Sequence, residues 1–252
     1  MFGQSKFIQN SFSISFERCA DVRRRINEME DRLQLRYPSH FGQPQLIPVP
    51  DELDPEVPRV IFGSKHGFSQ IIVSQMSLTL NVAYSPDWQI DIAKGRQYLK
   101  ERVAVLYSLF DVMHGERLSA YFCGLTTRVR LQSNVDDAAT VGALIRRVAR
   151  NGDGQTTHDI NVRRTIIVGD RFFSNTTIQN YRAWRAEQNL SQIPRLRRDA
   201  AFECGIEIVG DFNDRFSFNE REGYISTPDV ADEVIDQGLN EMQGTIERFQ
   251  KD

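Results

Sequence analysis

Apolar and polar residues alternate in short stretches along this chain, and most of these stretches lead into segments with a longer apolar period. The first strict alternation covers residues 12–16, FSISF, which is the two-residue period of a half-buried β-strand. The apolar positions after it recur every three or four residues, as on one face of a helix: Cys19, Val22, Ile26, Met29 and Leu33. The chain is therefore predicted to begin with a strand that leads into a helix.

The rest of the first half is predicted to contain three more strands and a second helix. Residues 38–58 carry six prolines, which predicts a long, partly extended loop. The strands are predicted at residues 60–62, 68–74 and 78–84. The triplet Ser-Pro-Asp at residues 85–87 is then expected to begin a long helix that Gly115 ends.

The second half repeats this order of elements. Strand patterns occupy residues 117–132, 160–168, 172–181, 202–209 and 216–218. A helix after the first of them has its apolar face at Val141, Leu144 and Val148, and Gly152 is its predicted end. Thr227-Pro228 predicts the start of the last helix, with a capping hydroxyl followed by a proline.

Two segments of the chain resemble each other closely enough to indicate an internal duplication. Residues 77–87 (SLTLNVAYSPD) and 215–229 (RFSFNEREGYISTPD) share an alternating start, an Asn, a Tyr and a Ser/Thr-Pro-Asp triplet. The predicted fold is α+β, with two diverged βαβββα halves, residues 1–116 and 117–252, whose antiparallel sheets are covered by helices. The junction of two such halves is expected to form a groove, and junctions of this kind often bind ligands.

Composition favours an ordinary globular protein outside the membrane. The chain has 252 residues, of which 40% are hydrophobic, and a formal net charge of −3. No stretch approaches the ~18 consecutive apolar residues that a membrane helix requires. The first residues, MFGQSKFIQNSF, lack the charged start and apolar core of a secretory signal, so a cytoplasmic location is expected.

The sequence contains no local motif for catalysis or for a bound metal. Its three cysteines and four histidines are scattered, without a CxxC pair or two histidines at helical spacing. Asp87 and Asp91 are expected at the start of a helix, where they cannot converge as in a metal-dependent nuclease. We therefore predict no cofactor, no metal and no catalytic residue, while an enzyme with a dispersed site remains an open alternative.

The most distinctive segment is basic and aromatic and covers residues 171–198. It lies in a region, residues 117–200, that has 14 basic and 7 acidic side chains, whereas residues 201–252 have 4 and 13. Arginines beside aromatic rings suit a protein partner or an unpaired nucleic acid. Alternatively, the rings are core and the arginines pair with the acidic C-terminal residues. The candidate binding residues are Arg171, Arg182, Trp184, Arg185, Arg195, Arg197 and Arg198.

Residues 71–81 (IIVSQMSLTLN), the junction from Tyr84 to Trp88 and the helix after it resemble an uncharacterised, sporadically distributed bacterial family of similar length. The resemblance covers mainly residues 58–131 and implies no activity, but it suggests accessory proteins of defence-related or mobile gene neighbourhoods. The predicted function is a non-catalytic, protein-binding component of a bacterial assembly. Nucleic-acid binding through the basic middle third is the alternative, and self-association stays open.

Overall fold

A computed structural model describes residues 1–114, 120–148, 157–185 and 196–251. The described strands are β1 (Phe2–Phe16), β2 (Gln45–Leu46), β3 (Val60–Gly63), β4 (Ser69–Val73), β5 (Ser77–Ala83), β6 (Ala120–Ser133), β7 (Asn161–Val168), β8 (Phe172–Ala183) and β9 (Glu203–Asn213). The described α-helices are α1 (Ile26–Arg36), α2 (Ile92–His114), α3 (Asp137–Val148), α4 (Arg215–Glu220) and α5 (Pro228–Gln250). The predicted helix ends at Gly115 and Gly152 lie outside the described residues.

All nine strands form one antiparallel sheet in the order β2-β3-β4-β5-β1-β6-β9-β8-β7. The predicted α+β class is therefore confirmed. The central pair is β1 and β6, in which Phe12 lies opposite Leu125. The strand order is the same on both sides of this pair. The first strand of each half, β1 or β6, adjoins the last strand of that half, β5 or β9. The sheet thus runs without a break from one half of the sequence to the other.

One face of the sheet carries the hydrophobic core. Side chains on this face are fully buried in both central strands, as Phe12, Ile14 and Leu131 show. Helices α1, α2, α3 and α5 all contribute residues to the same buried cluster. Burial alternates along residues 10–16 of β1 and along β5, since every second side chain there points away from the helices. The strands predicted from strict alternation are therefore half-buried strands of this sheet.

The two long helices connect the halves of the chain. In α2, Arg96 and Lys100 both bind the carboxylate of Asp236 in α5, at 3.1 and 2.6 Å. The hydroxyl of Tyr107 donates a hydrogen bond to the carbonyl of Thr227, the residue that caps α5. The predicted start of the last helix at Thr227-Pro228 is confirmed. No helix within the described parts of the chain has the length and apolarity needed to cross a membrane.

The predicted strand at residues 216–218 is wrong, because these residues belong to α4. The ring of Phe216 packs edge-on against Phe173, with centroids 5.3 Å apart, and Phe218 lies 5.7 Å from Phe122. The alternating phenylalanines thus contact rings on two different strands, β8 and β6. Fully buried Asp214 precedes the helix and accepts a hydrogen bond from the amide of Cys123. Residues 215–218 therefore do not correspond structurally to β5, although their sequence pattern resembles it.

Candidate functional site

The structure describes six of the seven predicted binding residues, and Arg195 lies outside the described residues. Arg171 immediately precedes β8, Arg182 is near its end, and Trp184 and Arg185 follow it. Arg197 and Arg198 lie at the start of the short 3-10 turn before β9. Because the end of β8 pairs with the start of β9, Arg182, Trp184, Arg185, Arg197 and Arg198 are brought to one end of the sheet. Arg171 lies at the opposite end of β8.

Arg182 and Arg198 share one carboxylate. The Nε atom of Arg182 lies 2.8 Å from Oδ1 of Asp137, and Arg198 binds the other oxygen of Asp137. The side chains of Arg182 and Asp137 are only 6% and 8% exposed. Asp137 is the first residue of α3, where the positive end of the helix dipole also favours an acidic side chain. This cluster therefore anchors α3 to the end of β8.

A second acid and a backbone carbonyl also bind the guanidinium group of Arg182. Its Nη1 atom lies 2.7 Å from Oδ1 of Asp159, and its Nη2 atom donates to the backbone carbonyl of His158. Hydrogen bonds from Asn180 and from Arg182 hold the pKa of Asp159 below its ordinary value. Arg182 is thus held in place by several groups and is not exposed for a phosphate.

Two of the other arginines also have acidic partners. Arg171 binds Glu233 of α5 at 2.7 Å, and the Nη2 of Arg197 lies 2.5 Å from Asp199. The alternative interpretation, that the arginines pair with the acidic C-terminal residues, therefore holds for Arg171. Arg182, Arg197 and Arg198 bind acids of the middle third instead. Arg185 is exposed.

A cleft of about 560 Å³ lies beside this cluster, between residues 132–138 at the start of α3 and residues 198–204 at the start of β9. We call it the α3–β9 cleft. Two of its lining side chains are apolar and yet exposed, Val135 by 40% and Phe202 by 57%. Leu196, just before the second lining segment, is 59% exposed. Apolar side chains of this size concentrated at one place are typical of a contact surface.

The predicted residue Trp184 is tied to the same cleft. Its indole Nε1 donates a 2.8 Å hydrogen bond to the carbonyl of Arg197. The amide of Phe202 donates to the carbonyl of Ala183, immediately before Trp184. These two bonds hold the chain around Trp184 against the segment that carries Phe202.

The cleft is lined by more acids than cations. Arg198 is the one basic residue among its lining residues that the structure describes, against Asp136, Asp137, Asp199 and Glu203. Binding to a nucleic-acid backbone depends on cations that replace condensed counterions at the phosphates. The charge at this cleft therefore suits a protein surface better than a phosphate backbone.

Sequence comparison adds no relative. No protein-family model matches the chain, and none of the curated proteins does.

The lining residues of the cleft that the structure describes include no group suited to hold a metal ion. Within the described ranges, no three or more His, Cys, Asp or Glu side chains are grouped so that they could hold a metal ion. Cys204 lines the cleft, but burial raises the pKa of its thiol and so disfavours the nucleophilic thiolate. What the described cleft offers is apolar surface beside fixed charges.

Sequence reasoning missed Val135 and Phe202 as members of the site. Nothing in the sequence connects Asp137 to Arg182, 45 residues away. Phe202 was assigned to a predicted strand, which implied a half-buried ring. Its exposure follows from its position one residue before β9, where the pairing with β8 ends.

Proposed function

We propose that this protein is a non-catalytic, protein-binding component of a bacterial multi-protein assembly, and that its partner contacts the α3–β9 cleft. The observation that carries this proposal is the exposure of Phe202 and Val135 in a cleft whose neighbouring arginines are already paired with acids. Exposed apolar side chains gain free energy when a partner covers them. The paired charges beside them supply a fixed polar rim.

The composition of the site agrees with what is common at protein interfaces. Tryptophan, tyrosine and arginine are enriched among the residues that contribute most to binding, and burying such an anchor is worth about 2 kcal/mol or more. Trp184 and Arg197 are in contact here, and Phe202 lies beside them. We expect these three residues to form the centre of the contact, with Arg185 and Arg198 at its rim.

Nucleic-acid binding is the less favoured alternative. Arg171, Arg182, Arg197 and Arg198 are all in ion pairs, so a phosphate would have to compete with an acid that is already in place. Of the described candidates, Arg185 is the exposed cation for which the structure gives no acidic partner within 4 Å. The candidate residues alone therefore provide little of the salt-dependent affinity that phosphate contacts supply, although Arg146, Arg163 and Arg164 of the basic middle third are also exposed.

We also infer that the two halves arose by duplication and fusion of one βαβββα unit. The inference is supported by the matching strand order on both sides of the central pair β1 and β6 and by the position of a helix after each of these strands. The bacterial context, including a role in defence or in mobile elements, is supported by the resemblance of residues 71–88 alone.

The proposal is tested by quantitative affinity purification of the tagged protein from its native host. Phe202→Ser is compared with Leu35→Ser, which changes a leucine that is 79% exposed on α1. We expect one dominant partner to be retained by Leu35→Ser and depleted about tenfold or more by Phe202→Ser, a loss of the size that an anchor residue gives. Equal recovery by both variants, or purification of a lone monomer, would contradict the proposal.

The alternative is tested with the purified protein and a labelled single-stranded oligonucleotide. We expect the protein to show no salt-sensitive binding of the oligonucleotide. Tight, salt-sensitive binding that Arg185→Ala reduces would instead favour the nucleic-acid function. Arg185 suits this test better than Arg182, because removal of Arg182 would also disturb the fold.

A further inference from the structure

A second cavity, of about 280 Å³, lies in the first half of the chain, away from the α3–β9 cleft. It is bounded by the turn between β3 and β4, the end of β5 and the start of α2. Its walls are mainly rings, which belong to Phe68, Tyr84, Trp88, Tyr98, His40 and His66. No acid, lysine or arginine is among the lining residues that the structure describes.

Hydrogen bonds and ring contacts hold these walls in place. The rings of Trp88 and Tyr98 meet edge to face, with centroids 5.8 Å apart. The hydroxyl of Tyr98 donates to Ser69 Oγ at 3.0 Å, and Tyr84 Oη accepts a hydrogen bond from Asn10 at 2.8 Å. Because both tyrosines are fixed from behind, the cavity is already formed and little ordering is needed when a ligand binds.

Part of this aromatic surface is open to solvent. Phe68 is 50% exposed and Trp88 is 38% exposed, and both line the cavity. Phe68 follows Gly67, whose φ of +74° makes the tight turn after β3. Two partly exposed large rings in the lining of one apolar cavity provide surface on which a flat ligand can stack.

His40 lines the cavity and carries a hydrogen-bonding atom without a partner. Its Nε2 atom is buried and has no hydrogen-bond partner within the described parts of the chain. Burial lowers the pKa of His40, and the charges of Arg102 and His66 lower it further, so the imidazole is neutral at neutral pH. A buried polar atom without a partner is costly. Because His40 lines the cavity, a turn of its ring can present Nε2 to a ligand there, and the new hydrogen bond recovers that cost.

The charge around the cavity limits what can bind. The guanidinium carbon of Arg102 lies 3.6 Å from the centroid of Tyr37 and 4.8 Å from that of Tyr98, and Arg102 is only 7% exposed. A fixed positive charge behind one wall repels a cationic ligand, although aromatic walls alone would favour one. The lining carries no lysine or arginine to pair with a phosphate or carboxylate.

We propose that this cavity binds an uncharged, planar heteroaromatic ring, which stacks against Trp88 and Phe68 and forms a hydrogen bond with Nε2 of His40. The volume agrees with a single ring system, since it is just below the ~300–1,000 Å³ of typical ligand pockets. This site is separate from the proposed protein contact, so each can fail without the other.

Adenine is a suitable probe, because it is neutral, flat and able to donate and accept hydrogen bonds. The chain has two tryptophans, so Trp184→Phe leaves Trp88 as the one reporter of fluorescence. We expect adenine to change this fluorescence saturably and choline and benzoate to cause no saturable change. Absence of saturation with adenine, or equal binding of choline, would overturn the proposal.

Substitution of the histidine tests the hydrogen bond itself. In the Trp184→Phe protein, His40→Phe is expected to weaken adenine binding about tenfold, as loss of one buried hydrogen bond does. His158→Gln, which changes an exposed histidine in the other half, is the control and should bind as its parent does. Unchanged affinity in a folded His40→Phe protein would contradict the assignment.

A second measurement covers the case in which His40→Phe does not fold. The imidazole resonances of His40 in the Trp184→Phe protein are followed by NMR as adenine is added. They should shift along the same saturation curve as the fluorescence of Trp88. Resonances that stay in place at saturation would also overturn the proposal.

Discussion

Arg182 and Asp137 form a buried ion pair that joins the end of β8 to the first residue of α3, with 2.8 Å between Nε and Oδ1. Arg198 binds the other oxygen of the same carboxylate. Asp137 thus pairs with two arginines of the basic segment beside the α3–β9 cleft. Arg182 therefore fixes the start of α3, and in the proposed function it would contribute to partner binding indirectly, through that position.

Arg182→Ala should therefore lower stability more than an exposed arginine does. The change leaves Asp137 with Arg198 as its remaining basic partner and removes the charged hydrogen bonds of Arg182 to Asp137 and Asp159, which should cost about 2–3 kcal/mol. Urea unfolding measures the loss of free energy. Arg163→Ala, on the exposed part of β7, is the matched control and should leave the free energy of unfolding nearly unchanged. Equal effects of the two changes would show that the pair does not support the fold.

Arg59 is predicted to hold the proline-rich loop in place. Its side chain is fully buried, and its guanidinium donates to the carbonyls of Val57, Leu53 and Asp54 at 2.6, 3.2 and 3.2 Å. Arg59→Met should cost about 2–4 kcal/mol, because several carbonyls lose their donor. It should also make residues 48–58 sensitive to limited proteolysis.

Arg24→Met is the control for this experiment, since the side chain of Arg24 is 83% exposed. It should leave both the unfolding curve and the cleavage pattern as in the unchanged protein. Cleavage of Arg59→Met only outside residues 48–58 would contradict the role assigned to Arg59.

Asp214 gives the protein a specific dependence on pH. Burial raises the pKa of Asp214 above its ordinary value, although hydrogen bonds from the Cys123 amide and Tyr224 oppose this rise. A raised pKa means that the folded state binds the proton more tightly than the unfolded state does. The contribution of Asp214 to stability is thus complete below the unfolded pKa and is lost as pH rises through the folded pKa.

Asp214→Asn, which cannot titrate, isolates this contribution. The free energy of unfolding is measured for both proteins at a series of pH values from about 3.5 upward, near the ordinary carboxyl pKa. The variant should gain stability relative to the unchanged protein as pH rises. Tyr224→Phe, which removes the hydroxyl that donates to Asp214, should extend the window to higher pH. A constant difference between Asp214→Asn and the unchanged protein would contradict the assignment.

Gly205 is predicted to be required where β6 meets β9. A Cβ atom added there would lie 2.2 Å from the carbonyl oxygen of Leu131 and 2.9 Å from the ring of Tyr181. Gly205→Ala should therefore destabilise the sheet by about 2 kcal/mol or more through overpacking. Gly244 in α5 has no atom within 4 Å of such a Cβ, so Gly244→Ala should stabilise the helix by up to about 1 kcal/mol. Thermal unfolding of both variants checks the opposite signs.

Local patterns predicted the fold well where one physical cause dominates. Strict alternation identified β5, because its side chains point in turn to the core and away from it. The hydroxyl of Thr227 and the proline after it identified the start of α5, because both act within one helical turn. The same reasoning failed at α4. Phe216 and Phe218 are two residues apart on a helix, so they point to different sides of it and contact rings on two separate strands.

The candidate sites were harder to predict because they depend on contacts between distant residues. The sequence singled out Arg182 and Trp184 by composition, but their partners Asp137 and Arg197 follow from strand pairing. The cavity beside His40 and His66 was missed entirely, since the two residues lie on separate loops and share no spacing rule. Only the pairing of β3 with β4 and the course of the loop after α1 bring the centroids of their rings to 6.2 Å from each other.

Site-specific photocrosslinking tests the central claim most directly. A benzophenone amino acid replaces Phe202 in one protein and Leu35 in another, and both are irradiated in the native host. We predict that position 202 crosslinks to one protein partner, that position 35 does not, and that Trp184→Ala abolishes the crosslink. The same products from both positions, or none from position 202, would contradict the assignment of the α3–β9 cleft as the partner-binding surface.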